Sequence, residues 1–200
     1  MNQKITILDA GMGRALKMRG VGIPETIWSA NALLVAPEIV QNIHEENILA
    51  GANMITTNTY GVIRSDLKKA GIESQFKTLN LQAAGLARAA IKATGKAVKI
   101  AGSLPPLNGS FRPDRVRPVD EIEPLYREQA EILAPHVDVF LCETMSHINE
   151  ATAAARAASS TGKPVIVSFT LHEQNPGELR SGQSLKSAIA ALGEIELEGL

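Results

Sequence analysis

Two hundred residues, 44% hydrophobic and 20% charged, suffice for one domain with a substantial core. A formal net charge of -1 offers no footprint for nucleic acid or an anionic membrane surface. No apolar stretch approaches the roughly 18 residues that span a bilayer. With a single cysteine the chain forms no internal disulfide and no cysteine-based metal site of its own. The expectation is a cytoplasmic protein, because Met1-Asn2-Gln3-Lys4 runs straight into the first predicted strand and leaves no room for a signal peptide.

In chain order, apolar runs that each end in a polar residue alternate with helical patterns. Ile5-Thr6-Ile7-Leu8 runs into Asp9, and the glycine-punctuated turn Gly11-Met12-Gly13-Arg14 leads to a short helix ending near Gly20. Pro37 suits the first position of a helix reaching about Ala50, with Gly51 as its stop and Ile39, Val40, Ile43, Asn47 and Ile48 inward. Asn53-Met54-Ile55 then runs into Thr56-Thr57-Asn58, followed by helical stretches from Ile63 to Ala70 and from Ser74 to Ala93. Val98 to Gly102 runs into Ser103, and the next helix, about Val119 to Leu133, is expected to bury Ile122, Leu125, Tyr126, Ile132 and Leu133. Val137 to Cys142 runs into Glu143, with a helix opening at Ser146 as its cap. Val165-Ile166-Val167 runs into Ser168-Phe169-Thr170, and a last helix opens at Ser184.

Short apolar strands alternating with helices are the mark of a parallel sheet covered on both faces. The predicted class is α/β of the (β/α)8 TIM-barrel type, incomplete, with about five βα units. Functional groups in such folds sit at the carboxyl ends of the strands. Two long loops on that side, Leu104 to Pro118 and Leu171 to Gln183, contrast with the short Thr161-Gly162-Lys163 connection on the other.

Asp9 and Glu143 are therefore the first candidates. A carboxylate at the end of an apolar strand is costly unless paired or hydrogen-bonded. Two on one rim suit an ammonium group or acid–base work, against the plainer role of capping turns or pairing with an arginine such as Arg14. Thr57, Asn58 and Tyr60 place polar groups beyond the second strand, where ordinary turn chemistry competes with substrate binding. Gly11 and Gly13 lack the GxGxxG spacing of a dinucleotide fold. By strand parity Cys142 faces away from Glu143 and reads as a buried structural thiol. Lys99 shares a face with Ser103 but lies at the strand's start. His44, His136, His147 and His172 show no metal-ligand spacing; only His147 and His172 come near the rim.

Taken in order, Leu8-Asp9-Ala10-Gly11-Met12-Gly13, Ile55-Thr56-Thr57-Asn58-Thr59-Tyr60, Ala101-Gly102-Ser103-Leu104-Pro105-Pro106 and Leu141-Cys142-Glu143-Thr144 resemble the homocysteine S-methyltransferase family. Gly177-Glu178-Leu179-Arg180-Ser181-Gly182 fits that family's fifth loop, and the resemblance covers essentially the whole chain. It implies a barrel that binds homocysteine at its carboxyl rim and transfers a methyl group from a donor to the homocysteine sulfur, giving methionine. By position, Asp9 and Glu143 would receive the amino group, and backbone around Ala10-Gly11 together with Thr57 would hold the carboxylate. Asn58, Tyr60 and Ser103 are further rim candidates. The family's zinc, held by three cysteine thiolates, lowers the thiol pKa of homocysteine.

Two departures stand out. Ala10 replaces a usual glycine, which still leaves a backbone N–H. The zinc cysteines belong to the sixth and eighth strands, and Glu198-Gly199-Leu200 falls where the sixth should begin. The expectation is thus one domain over 1–200, cut before its sixth strand, with the zinc ligands absent from the chain. Open sheet edges would then favour self-association. Besides the methyltransferase reading stand a non-catalytic remnant or amino-acid-binding module, and a lyase or aldolase using Glu143 or Lys99.

Overall fold

The computed structural model describes residues 5–200. Met1-Asn2-Gln3-Lys4, and with them the expectation about a leader, lie outside the described residues. The chain divides into two compact units, Met1–Gly102 and Ser103–Leu200.

In the first unit the segment expected as strand one is reduced to a single parallel bridge, Leu8 to Met54. The backbone explains why. Asn53 and Met54 both donate to the Ile7 carbonyl, at 2.8 and 3.2 Å, and Asp9 donates to Met54 at 3.1 Å. The Ile7 N–H donates to the Asn53 side chain at 3.1 Å and not to the backbone carbonyl that would extend the ladder. Ile7 and Leu8 remain about half exposed.

Helix α1 (Met12–Met18) follows, then a 3-10 turn at Trp28–Ala30, α2 (Asn31–Val35) and α3 (Pro37–Leu49). Pro37 opens α3 where its missing N–H costs nothing, and Gly51, at φ 109°, turns the chain out of it. Strand β1 (Met54–Thr56), α4 (Arg64–Lys69) and α5 (Phe76–Thr94) come next. The small residues Ala83, Ala87 and Ala90 are fully buried on α5, which packs against α3. Strand β2 (Lys99–Leu104) pairs in parallel with β1, Met54 opposite Lys99 and Thr56 opposite Ala101. The boundary between the units falls within β2.

The second unit holds α6 (Val119–Leu133), β3 (Val139–Met145), α7 (Ile148–Ser159), β4 (Val165–Phe169), α8 (Leu185–Ala191) and β5 (Leu197–Gly199). Strands β3, β4 and β5 pair in that order, all parallel. On α6 the buried stripe is Ile122, Tyr126, Gln129, Ala130 and Leu133. Leu125, expected inside, is 41% exposed, and Ile132 is half-buried. The stripe advances by four and three residues from Ile122 through Tyr126, which leaves Leu125 at its edge. Alanine-rich α7 is buried on nearly every side, against α6, β3 and β4. Its cap is His147, whose Nδ1 accepts from the Asn149 N–H at 3.0 Å, and not Ser146 as the sequence suggested. Ser184 caps α8 as expected, accepting from Ser187. Among the described residues no helix is long and apolar enough to cross a membrane.

The inward face of α3 is Val40, Ile43, His44 and Ile48, so His44 occupies a core position assigned to its neighbours. Neither ring nitrogen has a hydrogen-bond partner, and burial pushes its pKa from 6.5 down to about 4. The unfolded chain therefore takes up the proton first. Stability is complete above pH 6.5 and is lost as pH falls toward 4. Between pH 7 and pH 5 urea denaturation is expected to show a loss of about 2 kcal/mol from this group. Replacing the ring, His44→Leu, is expected to remove that part of the pH dependence.

Candidate active site

The carboxyl end of β1 carries the first candidate. Asp9 follows the Leu8 bridge, and both carboxylate oxygens are gripped by one residue. Oδ2 accepts the Thr56 N–H at 2.9 Å, and Oδ1 accepts the Thr56 hydroxyl at 2.9 Å. Burial raises the Asp9 pKa, while the Thr56 bonds pull it back toward the charged form. The result is a fixed acceptor at a strand end.

The other first-unit candidates are committed to the protein itself. The Ala10 N–H donates to the Asn47 side chain at 3.3 Å, so it is not the open donor the sequence suggested. Gly11 accepts from Ala15 as α1 begins. Buried Thr57 donates its N–H to Ala101 at 2.9 Å and shares a hydroxyl bond with Thr59, also at 2.9 Å. The Asn58 amide donates to the Ser29 carbonyl, leaving its buried Oδ1 without a partner. Tyr60 is half-buried beside this run. At Gly61 an added Cβ would lie 2.2 Å from the Ile27 carbonyl, so only glycine lets the turn after β1 pass this close.

In the second unit Ser103, fully buried at the end of β2, donates its hydroxyl to Glu143 Oε1 at 2.5 Å. Glu143 is half-buried and leaves the ladder at a bulge. The register of β3 on β4 slips between Cys142 and Met145, and Thr144 adopts φ 65°. A left-handed backbone costs an L-residue about 1–2 kcal/mol, and a β-branched one is unusual there. Such outliers gather at binding and catalytic positions, where the surroundings hold them in place.

Two long loops close over this end. Tyr126 donates to the Pro105 carbonyl at 3.0 Å, anchoring the first loop to α6. Phe111, itself at φ 60°, lies under the Arg180 guanidinium from the second loop, 5.2 Å from the ring centre. Arg180 also pairs with Glu173 at 3.1 Å. These partners escaped the sequence reading. Thr56 sat within the quoted polar run, but nothing distinguished it from Thr57; the Phe111–Arg180 contact joins loops with no periodicity.

Cys142 is completely buried, and its thiol is held strongly in the protonated form, first by burial and then by the Glu143 charge. His147 is occupied as a cap, and burial lowers its pKa. The His172 Nδ1 accepts from Gln174 at 3.2 Å. Lys99 sits exposed at the start of β2.

A family model for homocysteine S-methyltransferase matches residues 6–199. The chain belongs to the homocysteine S-methyltransferase family. It is 28% identical to the homocysteine S-methyltransferase of Escherichia coli over 205 residues, covering 95% of this chain and 66% of that protein. It is 26% identical to the S-methylmethionine–homocysteine S-methyltransferase of Pongo abelii, covering 88% of this chain and 47% of that protein. The crystal structure of the Escherichia coli homocysteine methyltransferase in its metallated form matches with a TM-score of 0.86 at 28% identity, over 97% of this chain and 72% of that one. The chain thus spans from about half to two thirds of the curated relatives named here. The fold is α/β of the (β/α)8 barrel type, of which the described residues carry five parallel strands.

The family's zinc does not fit these side chains. Among the described residues no group of three His, Cys, Asp or Glu is placed to hold a metal. The one thiol is buried and protonated, the opposite of what a zinc thiolate needs. No chemical step is therefore derived through zinc.

The strain at Thr144 can be measured. Thr144→Gly is expected to raise stability by about 1 kcal/mol in denaturant titrations, because glycine adopts this backbone without a Cβ clash. A loss of stability would show that the Thr144 side chain holds the bulge by its packing.

Proposed function

We propose that this chain binds homocysteine as the amino-acid-recognition part of a homocysteine S-methyltransferase. Family membership over residues 6–199 supports the substrate class. The observation that carries the reading is Glu143, lifted out of the β3 ladder at a strained bulge and oriented by buried Ser103. The Ser103 hydroxyl donates to one oxygen of this carboxylate, and a carboxylate is the group that accepts an ammonium in a charge-assisted bond. In this reading Glu143, in the second unit, is an acceptor for the substrate ammonium; in the first unit, taken by itself, Asp9 is likewise an acceptor for an ammonium group, and the Gly11 backbone and the Thr57–Tyr60 run are the candidates for holding a carboxylate.

In the reaction the homocysteine sulfur forms a bond to the donor's methyl carbon as the donor's own bond to that carbon breaks. The thiol proton goes to solvent, and methionine results. The residues described here bind and orient the amino-acid end. Exposed Ile5, Ile7 and Leu8 along the open edge support self-association. Sedimentation is expected to show concentration-dependent dimers, reduced in Leu8→Lys.

Isothermal titration with L-homocysteine tests the central claim. Wild-type chain is expected to bind, and Glu143→Gln or Asp9→Asn to weaken binding by about tenfold to a hundredfold each, since each removes a charge-assisted contact. Unaltered affinity in both variants would refute the assignment. Methyl transfer from a sulfonium donor, assayed alongside, separates a complete enzyme from an amino-acid-binding module.

A further inference from the structure

One buried charge in the second unit has no place in the reading above. Glu150, in the first turn of α7, is only 3% exposed. Its Oε2 accepts both the Ser146 N–H, at 3.0 Å, and the Ser146 hydroxyl, at 3.2 Å. Burial raises its pKa, and these two bonds oppose that rise. A buried carboxylate is expensive, and an ordinary surface helix start needs none. What Glu150 holds is the far end of the Glu143-Thr144-Met145-Ser146 turn.

The same turn is gripped from a second side. Gln183, from the long loop after β4, accepts the Ile148 N–H and the Ser181 hydroxyl on Oε1, both at 2.9 Å. Ser181 donates its N–H to the Ser146 carbonyl at 3.2 Å, and Thr170 donates to Met145 at 2.8 Å. Immediately after the bulge, the N–H and hydroxyl of Ser146 are thus tied to Glu150 and its carbonyl to the rim loop. The left-handed backbone at Thr144 sits between this clamp and the Ser103–Glu143 bond.

We infer that Glu150 is a positioning residue for Glu143, fixing Ser146 so that the strained turn presents the Glu143 carboxylate at one height above β3. In its affinity arm the inference rests on the homocysteine-binding reading; in its structural arm it does not. A helix cap alone would stabilise α7 without reaching residue 143.

The test compares Glu150→Ala with Glu150→Gln, whose amide oxygen can still accept both Ser146 bonds. Amide hydrogen exchange on the ligand-free chain is expected to speed up about tenfold across 143–146 in Glu150→Ala. Homocysteine titration, at a temperature where circular dichroism shows every variant folded, is expected to weaken about tenfold in the same variant. Glu150→Gln is expected to stay within about threefold of wild type in both measurements. Ser146→Ala, which deletes one of the two bonds from the other partner, is expected to move both readouts the same way by a smaller factor, and it serves if Glu150→Ala does not fold. Faster exchange confined to 148–159, or unchanged affinity in a chain that binds homocysteine, would reduce Glu150 to a cap and overturn the inference. A wild type that binds no homocysteine would refute the substrate reading, and the exchange arm would still decide the role of Glu150.

Discussion

A carboxylate standing at the end of an apolar strand is the constraint on which the rest of the second unit depends. Its charge must be compensated within a wall of Val139, Phe140 and Cys142, all fully buried. Two arrangements compensate it: a cation beside the charge, or neutral hydrogen-bond donors. Glu143 follows the second, with the Ser103 hydroxyl as its donor. Asp9 follows it too, with both Thr56 donors. Ion pairs such as Arg112–Asp114 and Lys69–Asp66 lie at partly or well-exposed positions. A charge held by amide and hydroxyl donors, as at Asp9, is suited to receiving a cation from outside.

That choice shapes the surrounding elements. For Glu143 to stop facing along the ladder the strand must bulge, and the bulge puts Thr144 in a costly conformation. Strain of this kind persists only under over-determination. Alanines at 151, 153, 154, 155, 157 and 158 let α7 lie close against β3, β4 and α6, which brings its first turn within reach of Ser146. The long loop after β4 is not a loose lid. Leu179 is fully buried within it, and Gln183, Arg180 and Ser181 each bond elements outside its tip. Packing, strain and charge placement are one problem here.

Period-two and period-3.6 patterns carried most of the architecture. Helix α6 runs from Val119 to Leu133 as its apolar spacing indicated, and Pro37 and Gly51 bracketed α3 closely. Strand ends marked by a polar residue located Asp9, Ser103 and Glu143. Legibility failed where a partner comes from elsewhere in the chain. Which serine or histidine caps α7 depends on Glu150 claiming Ser146 first, a contest no local pattern records. The first segment read as a strand, yet the Ile7 N–H takes the Asn53 side chain in place of a backbone carbonyl, and one bridge remains. The expected inward set of α3, residues 39, 40, 43, 47 and 48, omits His44 because of its polarity, although residues 40, 43, 44 and 48 form one helical face.

The same placement rules decide where thiol chemistry can reside. Cys142 is the chain's single cysteine and adjoins the proposed binding carboxylate in sequence, so proximity alone would nominate it as a nucleophile. Pleating sends successive side chains to opposite faces, which separates it from Glu143. Burial and the neighbouring negative charge then act in the same direction, both disfavouring thiolate. The Glu143 charge thus adds to burial in keeping the neighbouring thiol protonated. Cys142 is therefore a structural thiol and not a nucleophile beside Glu143.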